Sequence, residues 1–313
     1  MWSAVAESGR LDEPTSISAQ EPPTRHRLAD LLSGAPDLLL YRFFRLLPTD
    51  WGSALGGKIG ELSARRTTQA NYRAARENYL LLAPDDAAED DADGAMRRLW
   101  NNMGRTMAEF AVIERFWTEG RIAVAGAENL TDAQARGPVI VVGLHLGNWE
   151  TIGLAMSGLG FPFKAVYQAP HSRFRHEIVK EARQRAFGDI IKPPGAATAR
   201  ELHRTLMAGG MVGIFADEYI RGRVNAPLFG REPLRRSNIA MTARLALATG
   251  ASVVPAYALR VGGARFRVTF CPPLTLDREA DPLRAALALD AAIEPLVRAH
   301  LDQWYYLDNL RLN

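Results

Sequence analysis

The segment Pro138-Val139-Ile140-Val141-Val142-Gly143-Leu144-His145-Leu146-Gly147-Asn148-Trp149-Glu150 decides how the fold is read. Its first half is an uncharged, β-branched run between Gly137 and Gly143, the composition of a strand buried on both faces. Its second half opens a helix. Asn148 is a good N-cap, Glu150 suits the positive first turn, and Ile152, Leu154, Ala155, Met156 and Leu159 supply apolar positions up to Gly158 and Gly160. His145 therefore stands where a buried strand turns into a helix. In open α/β sheets that carboxyl edge is where ligands bind, and N–H groups at a helix start hold anions. Four residues separate His145 from Glu150. A turn that folds the carboxylate back under the ring fixes the tautomer and stabilises imidazolium, as a general base requires. A lone histidine after a strand is also commonly a packed or solvated residue, so both readings stay open here.

Outward from this segment the same grammar repeats. Ile122-Val124 reads as a strand before a short helix, and Phe163-Val166, Ile190-Ile191 and Met211-Ala216 are further strands, separated by helices over 174–187 and 198–208. Ser237-Asn238 caps a helix that ends at Gly250, after which 252–261 and 265–270 form a hairpin across Gly262-Gly263. A final helix runs from Pro282 to about Tyr306. Alternating strands and helices predict an α/β fold with a mixed, largely parallel sheet flanked by helices. His145, Tyr167-Gln168, Lys192 and Asp217-Glu218 each follow a strand, so all are expected along one sheet edge.

The first third has a different texture. Residues 1–24 are polar and proline-broken and read as a disordered tail. Residues 25–118 read as a helical, membrane-associating extension, and 119–313 as the α/β domain. Within the extension, Leu38-Leu39-Leu40-Tyr41-Arg42-Phe43-Phe44-Arg45-Leu46-Leu47 is the most lipophilic stretch of the chain. With Arg42 and Arg45 on one face it suits a membrane interface with its arginines toward anionic headgroups, or a helix docked on the main domain. Leu99, Met103, Met107, Phe110 and Ile113 mark a long amphipathic core helix over 95–117, and the acidic run 85–93 is a solvated loop or helix start.

Composition narrows the function. The charge of +3 is carried by arginine, since Lys58, Lys164, Lys180 and Lys192 are the only lysines. Arginine suits a bidentate grip on phosphate or carboxylate, and so mild a balance favours a local anionic partner over nucleic acid. A single cysteine, Cys271, excludes an internal disulfide and a Cys-rich metal site. His171 and His176 lack metal-ligand spacing with His145, so no metal is expected. No run approaches the roughly 20 apolar residues of a membrane span. Arg235-Arg236 and Arg260 are weaker candidates for headgroup contacts.

Several motifs together resemble one family. Trp100-Asn101-Asn102-Met103-Gly104-Arg105-Thr106 with Glu109-Phe110, then Val124-Ala125-Gly126-Ala127-Glu128-Asn129-Leu130, then His145 to Glu150, then Asp217-Glu218 with Leu228-Phe229-Gly230, and finally Gln303-Trp304 resemble the bacterial lipid A biosynthesis acyltransferases. These belong to the wider glycerolipid acyltransferases marked by a histidine, four residues and an acid. The resemblance implies transfer of a fatty acyl group from an acyl carrier protein thioester, or acyl-CoA, to a hydroxyl of a lipid A precursor or related glycolipid. It implies no bound cofactor, and a peripheral site at the cytoplasmic face of the bacterial inner membrane.

On this reading His145 is the base and Glu150 orients it. Asp217, with Glu218 beside it, is a second acidic partner or acceptor contact; for Asp217 a strand-end carboxylate satisfied by an arginine is the alternative. Gly147 and Asn148 at the helix start are oxyanion donors, with a nearby arginine as a further one. Arg183 and Arg185 match the family's arginines before a glycine and, with Arg173 and Arg175 on or before the same helix, are expected to bind lipid phosphate or the acidic carrier, a solvated arginine face being the alternative for Arg173 and Arg175. The chain departs from the family at Glu218, where glutamine is usual, and at Gln303-Trp304-Tyr305-Tyr306, where a His-Arg-Arg ending is common. Both departures bear on the acceptor. A lysophospholipid or phosphatidylinositol mannoside acyltransferase, or a catalytically silent lipid-binding homologue, are the alternatives.

Overall fold

The computed structural model describes residues 28–312, apart from 65–68, 84–87, 167–172, 188–190, 193–195, 221 and 278. At its centre lies β2 (Val139–Gly143), buried at all five positions. Its side chains alternate between two cores, as a pleated strand requires. Ile140 and Val142 enter the larger hydrophobic cluster, and Val139 and Val141 enter a second one on the opposite face. Each such fully buried side chain contributes at most about 1.5–3 kcal/mol.

The neighbours of β2 are β5 (Met211–Phe215) and β8 (Ser252–Gly262), both parallel to it. Parallel β3 (Phe163–Val166) and β4 (Ile191–Lys192) extend the sheet beyond β5. On the other side β9 (Arg265–Phe270) folds back antiparallel on β8 and pairs in parallel with β1 (Ile122–Ala125). The seven strands run in the order β1-β9-β8-β2-β5-β3-β4, a mixed and mostly parallel sheet as the sequence predicts. A second, two-stranded ribbon, β6 (Tyr219–Ile220) with β7 (Arg223–Val224), is short enough to leave no sequence pattern.

Helices cover both faces. The second cluster holds α6 (Ala127–Arg136) and α7 (Glu150–Gly158). The larger one holds α3 (Gln69–Leu82), α4 (Ala88–Glu109), α9 (Ala196–Met207), α10 (Asn238–Thr249) and α11 (Pro282–Arg298). The long helix read over 95–117 is therefore corrected. It starts at Ala88, ends at Glu109, and gives way to a 3-10 turn at Phe110–Val112 and the short α5 (Arg115–Thr118). The final helix is also shorter than its apolar spacing predicts. It is capped by Asp281, stops at Arg298, and a 3-10 turn at Leu301–Gln303 steers Trp304 into the core.

Two further helices complete the N-terminal part, α1 (Leu28–Leu46) and α2 (Thr49–Ala64). α2 packs on α4 through glycines. A Cβ at Gly56 would lie 2.5 Å from the Ala108 Cβ and 2.7 Å from the Gly104 carbonyl oxygen. Only glycine allows so close an approach, and it brings Ser53 of α2 within 2.6 Å of the Glu109 carboxylate. On α1, Tyr41 and Phe44 are buried while Leu39, Phe43 and Leu46 are exposed. The two arginines do not share the role predicted for them. Arg42 is exposed, but Arg45 turns inward to Glu114 at 2.9 Å. Among the described residues no helix is long and apolar enough to cross a membrane.

Candidate active site

The sheet register builds the centre of the site. Gly143 at the end of β2 pairs with Phe215 at the end of β5, so His145 and Asp217, each two residues further on, emerge side by side. The Asp217 carboxylate is fully buried and is used at both oxygens. Oδ1 lies 2.8 Å from His145 Nδ1, while Oδ2 accepts the His145 backbone N–H at 2.7 Å and the Trp304 indole N–H at 3.0 Å. With two N–H donors already on the carboxylate, the Nδ1 contact is best satisfied by a third, which leaves the lone pair of neutral imidazole on Nε2. Phe215, Trp149 and Tyr306 surround the ring, with centroids 4.5, 4.9 and 5.1 Å from it. These aromatic rings thin the water around the imidazole, which strengthens its pairing with Asp217.

Glu150 is not the group on Nδ1. Its carboxylate accepts the Trp149 indole N–H at 3.1 Å and Arg183 Nε at 3.0 Å, and Arg183 Nη2 also bonds to it. The expected fold-back under the ring fails because Glu150 is the first residue of α7 and is taken by α8 (Arg173–Phe187). The pair thus ties α7 to α8, with Glu150 5% and Arg183 19% exposed in their side chains. Arg185 is likewise occupied, by Glu181, Glu114 and the Tyr41 hydroxyl. The arginine alternative for Asp217 also gives way, since its partners are His145 and Trp304.

The turn between His145 and Glu150 is built differently from the expectation. Gly147 adopts φ +55° and donates its N–H to the Gln303 carbonyl at 3.0 Å, so that hydrogen is not offered to an oxyanion. The Asn148 side chain does not cap α7 but donates to Glu109 at 2.8 Å. Glu109 in turn takes Ser53 and a bidentate Arg260 at 2.6 and 2.9 Å. Arg260, read as a headgroup contact, is thereby buried in an ion pair. A sequence signal existed for the helix packing alone: Gly56 and Gly60 on α2, four residues apart, meet Gly104 on α4.

Glu218 sits beside this centre, buried, with Oε1 accepting the Asn238 N–H at 2.7 Å and Oε2 without a partner. Burial pushes its carboxyl up to about 8, the Asn238 bond opposing and the Asp217 charge adding to the rise. Burial also raises the Tyr306 phenol well above its ordinary value, with Asp217 the next cause. Glu218 and Tyr306 thus both stand next to His145 and Asp217. Tyr167, Gln168 and His171 lie outside the described residues, and of Arg173, Arg175, His176 and Lys192 only the backbone is described. Among the described residues no group of three or more His, Cys, Asp or Glu side chains is placed to hold a metal ion.

Arranged this way, the site has a histidine with one nitrogen fixed by a carboxylate and a lone pair on the other, at the edge of a sheet and before a helix N-terminus. That set can deprotonate a hydroxyl. A family model described as bacterial lipid A biosynthesis acyltransferase matches residues 38–312, most of the chain. No curated protein matches it.

Proposed function

The chain belongs to the bacterial lipid A biosynthesis acyltransferase family, and from that premise we propose an O-acyltransferase reaction with His145 as general base. An acyl group moves from an acyl carrier protein thioester to a hydroxyl of a lipid A precursor or related glycolipid. His145 Nε2 takes the hydroxyl proton as the oxygen attacks the thioester carbonyl. The tetrahedral oxyanion forms, collapses to the ester, and expels the thiolate, which takes a proton from the imidazolium. Asp217 holds the ring in the required tautomer and stabilises the imidazolium, the role an orienting carboxylate plays in hydrolytic triads. The single observation that carries the reading is the 2.8 Å contact between His145 Nδ1 and a carboxylate with no exposed surface. General base assistance is worth about 10²–10⁴ in rate.

Glu150 then acts on the site's shape: with Arg183 it fixes the N-terminus of α7, the positive helix end at which the oxyanion is stabilised. Contact with an anionic membrane is assigned to the outer faces of α1 and α2. Leu39, Phe43 and Leu46 on α1, and Trp51, Leu55 and Leu62 on α2, recur at three-, four- and seven-residue spacing and are exposed, with Arg42 exposed among them and Lys58 paired to Glu61. Such a face suits peripheral binding at the headgroup level.

The test is acyl transfer from a labelled carrier-protein thioester to a panel of lipid A precursors, lysophospholipids and phosphatidylinositol mannosides, with wild type and His145→Ala. Product on a lipid A precursor, lost in a folded His145→Ala protein, is the expected result. Product on a phospholipid or mannoside alone moves the acceptor and keeps the chemistry. Activity that survives His145→Ala sinks the mechanism.

A further inference from the structure

The peptide at Gly147 is held from both sides, and both holds lead to Arg260. Its N–H goes to the Gln303 carbonyl at 3.0 Å. The Gln303 side-chain oxygen accepts the Arg260 backbone N–H at 2.8 Å, and its amide returns to the Arg260 carbonyl at 3.3 Å. On the other side the Gly147 carbonyl accepts the Thr106 hydroxyl at 3.1 Å, and that hydroxyl accepts from Arg260 Nη2 at 3.3 Å. The next residue, Asn148, is fixed by Glu109, the ion-pair partner of Arg260. The pair itself is buried, 6% and 0% exposed, with Arg260 Nε on Asn102 at 2.9 Å.

A buried ion pair is poor evidence for stability, because desolvating two charges offsets most of their attraction. Its partners here point to another use. Through Thr106 and Asn148 the pair's side chains set one turn, with Gln303 adding a hold from the Arg260 main chain, and that turn joins His145 to the N-terminus of α7. A non-glycine residue cannot take over the geometry: φ is +55° and a Cβ would lie 2.6 Å from the Ala258 carbonyl oxygen. We propose that Glu109 and Arg260 are positioning residues for acyl transfer, clamping the Gly147-Asn148 turn so that the imidazole stays aimed at the attacking hydroxyl while the N-terminus of α7 stays aimed at the oxyanion. The inference rests on the acyltransferase reading. Both side chains lie buried and act through the turn. A misplacement of about 1 Å at such a turn costs on the order of 10²-fold in turnover.

The test uses the full chain with two variants. Thr106→Val removes one hydroxyl, adds no charge and keeps the volume; Arg260→Lys keeps the charge but loses the bidentate fork. Two quantities are read: kcat and KM for acyl transfer, and amide hydrogen exchange peptide by peptide without substrate. The expected result is kcat lower by about 10²-fold with KM changed less than about threefold, and faster exchange confined to residues 145–150. Unchanged kcat in either folded variant overturns the proposal. So does faster exchange spread evenly over α4 and β8, which marks a merely structural pair. A wild-type protein without acyl transfer would sink the acyltransferase reading instead. The clamp is then judged on exchange alone, and an unchanged rate at 145–150 in Thr106→Val overturns it.

Discussion

Replacing Glu218 by glutamine should make the protein more stable, and the gain should grow with pH. Glu218 is buried, and its carboxyl is pushed up from 4.5 to about 8 in the folded chain. The sign follows from proton counting. Between these values the unfolded chain releases the proton and the folded chain keeps it, so stability falls as pH rises from the unfolded value and levels off above the folded one. Each pKa unit is worth about 1.36 kcal/mol, which makes the cost about 1 kcal/mol at about pH 5 and about 4 kcal/mol at about pH 7.5. Glutamine is neutral throughout and nearly isosteric with the protonated acid. Its amide oxygen can accept the Asn238 N–H that Oε1 accepts now. Urea unfolding of wild type and Glu218→Gln at both pH values checks this. Asp290 and Asp308, also raised by burial, to about 6, titrate equally in both proteins and cancel in the difference. A stability difference that does not change between the two pH values would refute the reasoning, since a neutral packing effect has no such slope.

Three further outcomes are expected. Arg183→Met leaves the buried Glu150 carboxylate without its cation, so stability should fall by about 3–5 kcal/mol, read by thermal unfolding; a loss under about 1 kcal/mol contradicts an α7–α8 tie. Gly147→Ala places a side chain at φ +55° against the Ala258 carbonyl, and should cost more than about 1 kcal/mol; chemical denaturation decides, and unchanged stability means the turn takes another conformation. Leu46→Ser with Trp51→Ala removes two of the most exposed apolar side chains of the α1–α2 face, at roughly 1.5–3 kcal/mol of buried side chain each. Co-sedimentation with anionic vesicles should drop more than tenfold, and equal binding would move the membrane contact elsewhere.

Much of the fold could be read from local pattern. The all-apolar β2 run, the glycines that bound it, the Ser237 cap and the Gly262-Gly263 hairpin are short-range signals, and the elements they predict are present. Helix ends were harder, because apolar spacing continues past Glu109 and Arg298 while the backbone does not. For the site, the strand ends placed His145 and Asp217 on one edge, and the register of β2 with β5 turned that into a contact. The nearness in sequence of Glu150 was a weaker guide than this long-range pairing, since Arg183, held on another helix, takes its carboxylate. Trp304 on Asp217, Gln303 on Gly147 and Arg260 on Glu109 each join segments far apart in the chain. A single sequence carries no signal for such pairings.

Asp217→Asn measured against Glu150→Gln tests the central claim, that Asp217 rather than Glu150 orients His145 as the proposed base. In wild type three N–H donors converge on the Asp217 carboxylate. An amide offers one acceptor oxygen, so its NH₂ must face one of those donors, and facing Nδ1 it forces the ring into the tautomer whose Nε2 carries the proton. Loss of the orienting carboxylate in this way costs roughly 10⁴-fold in kcat, about 5 kcal/mol of barrier. Single-turnover acyl transfer should therefore fall by about that factor in Asp217→Asn and by less than about tenfold in folded Glu150→Gln. The reverse order, with Asp217→Asn nearly active and Glu150→Gln inactive, would contradict the account.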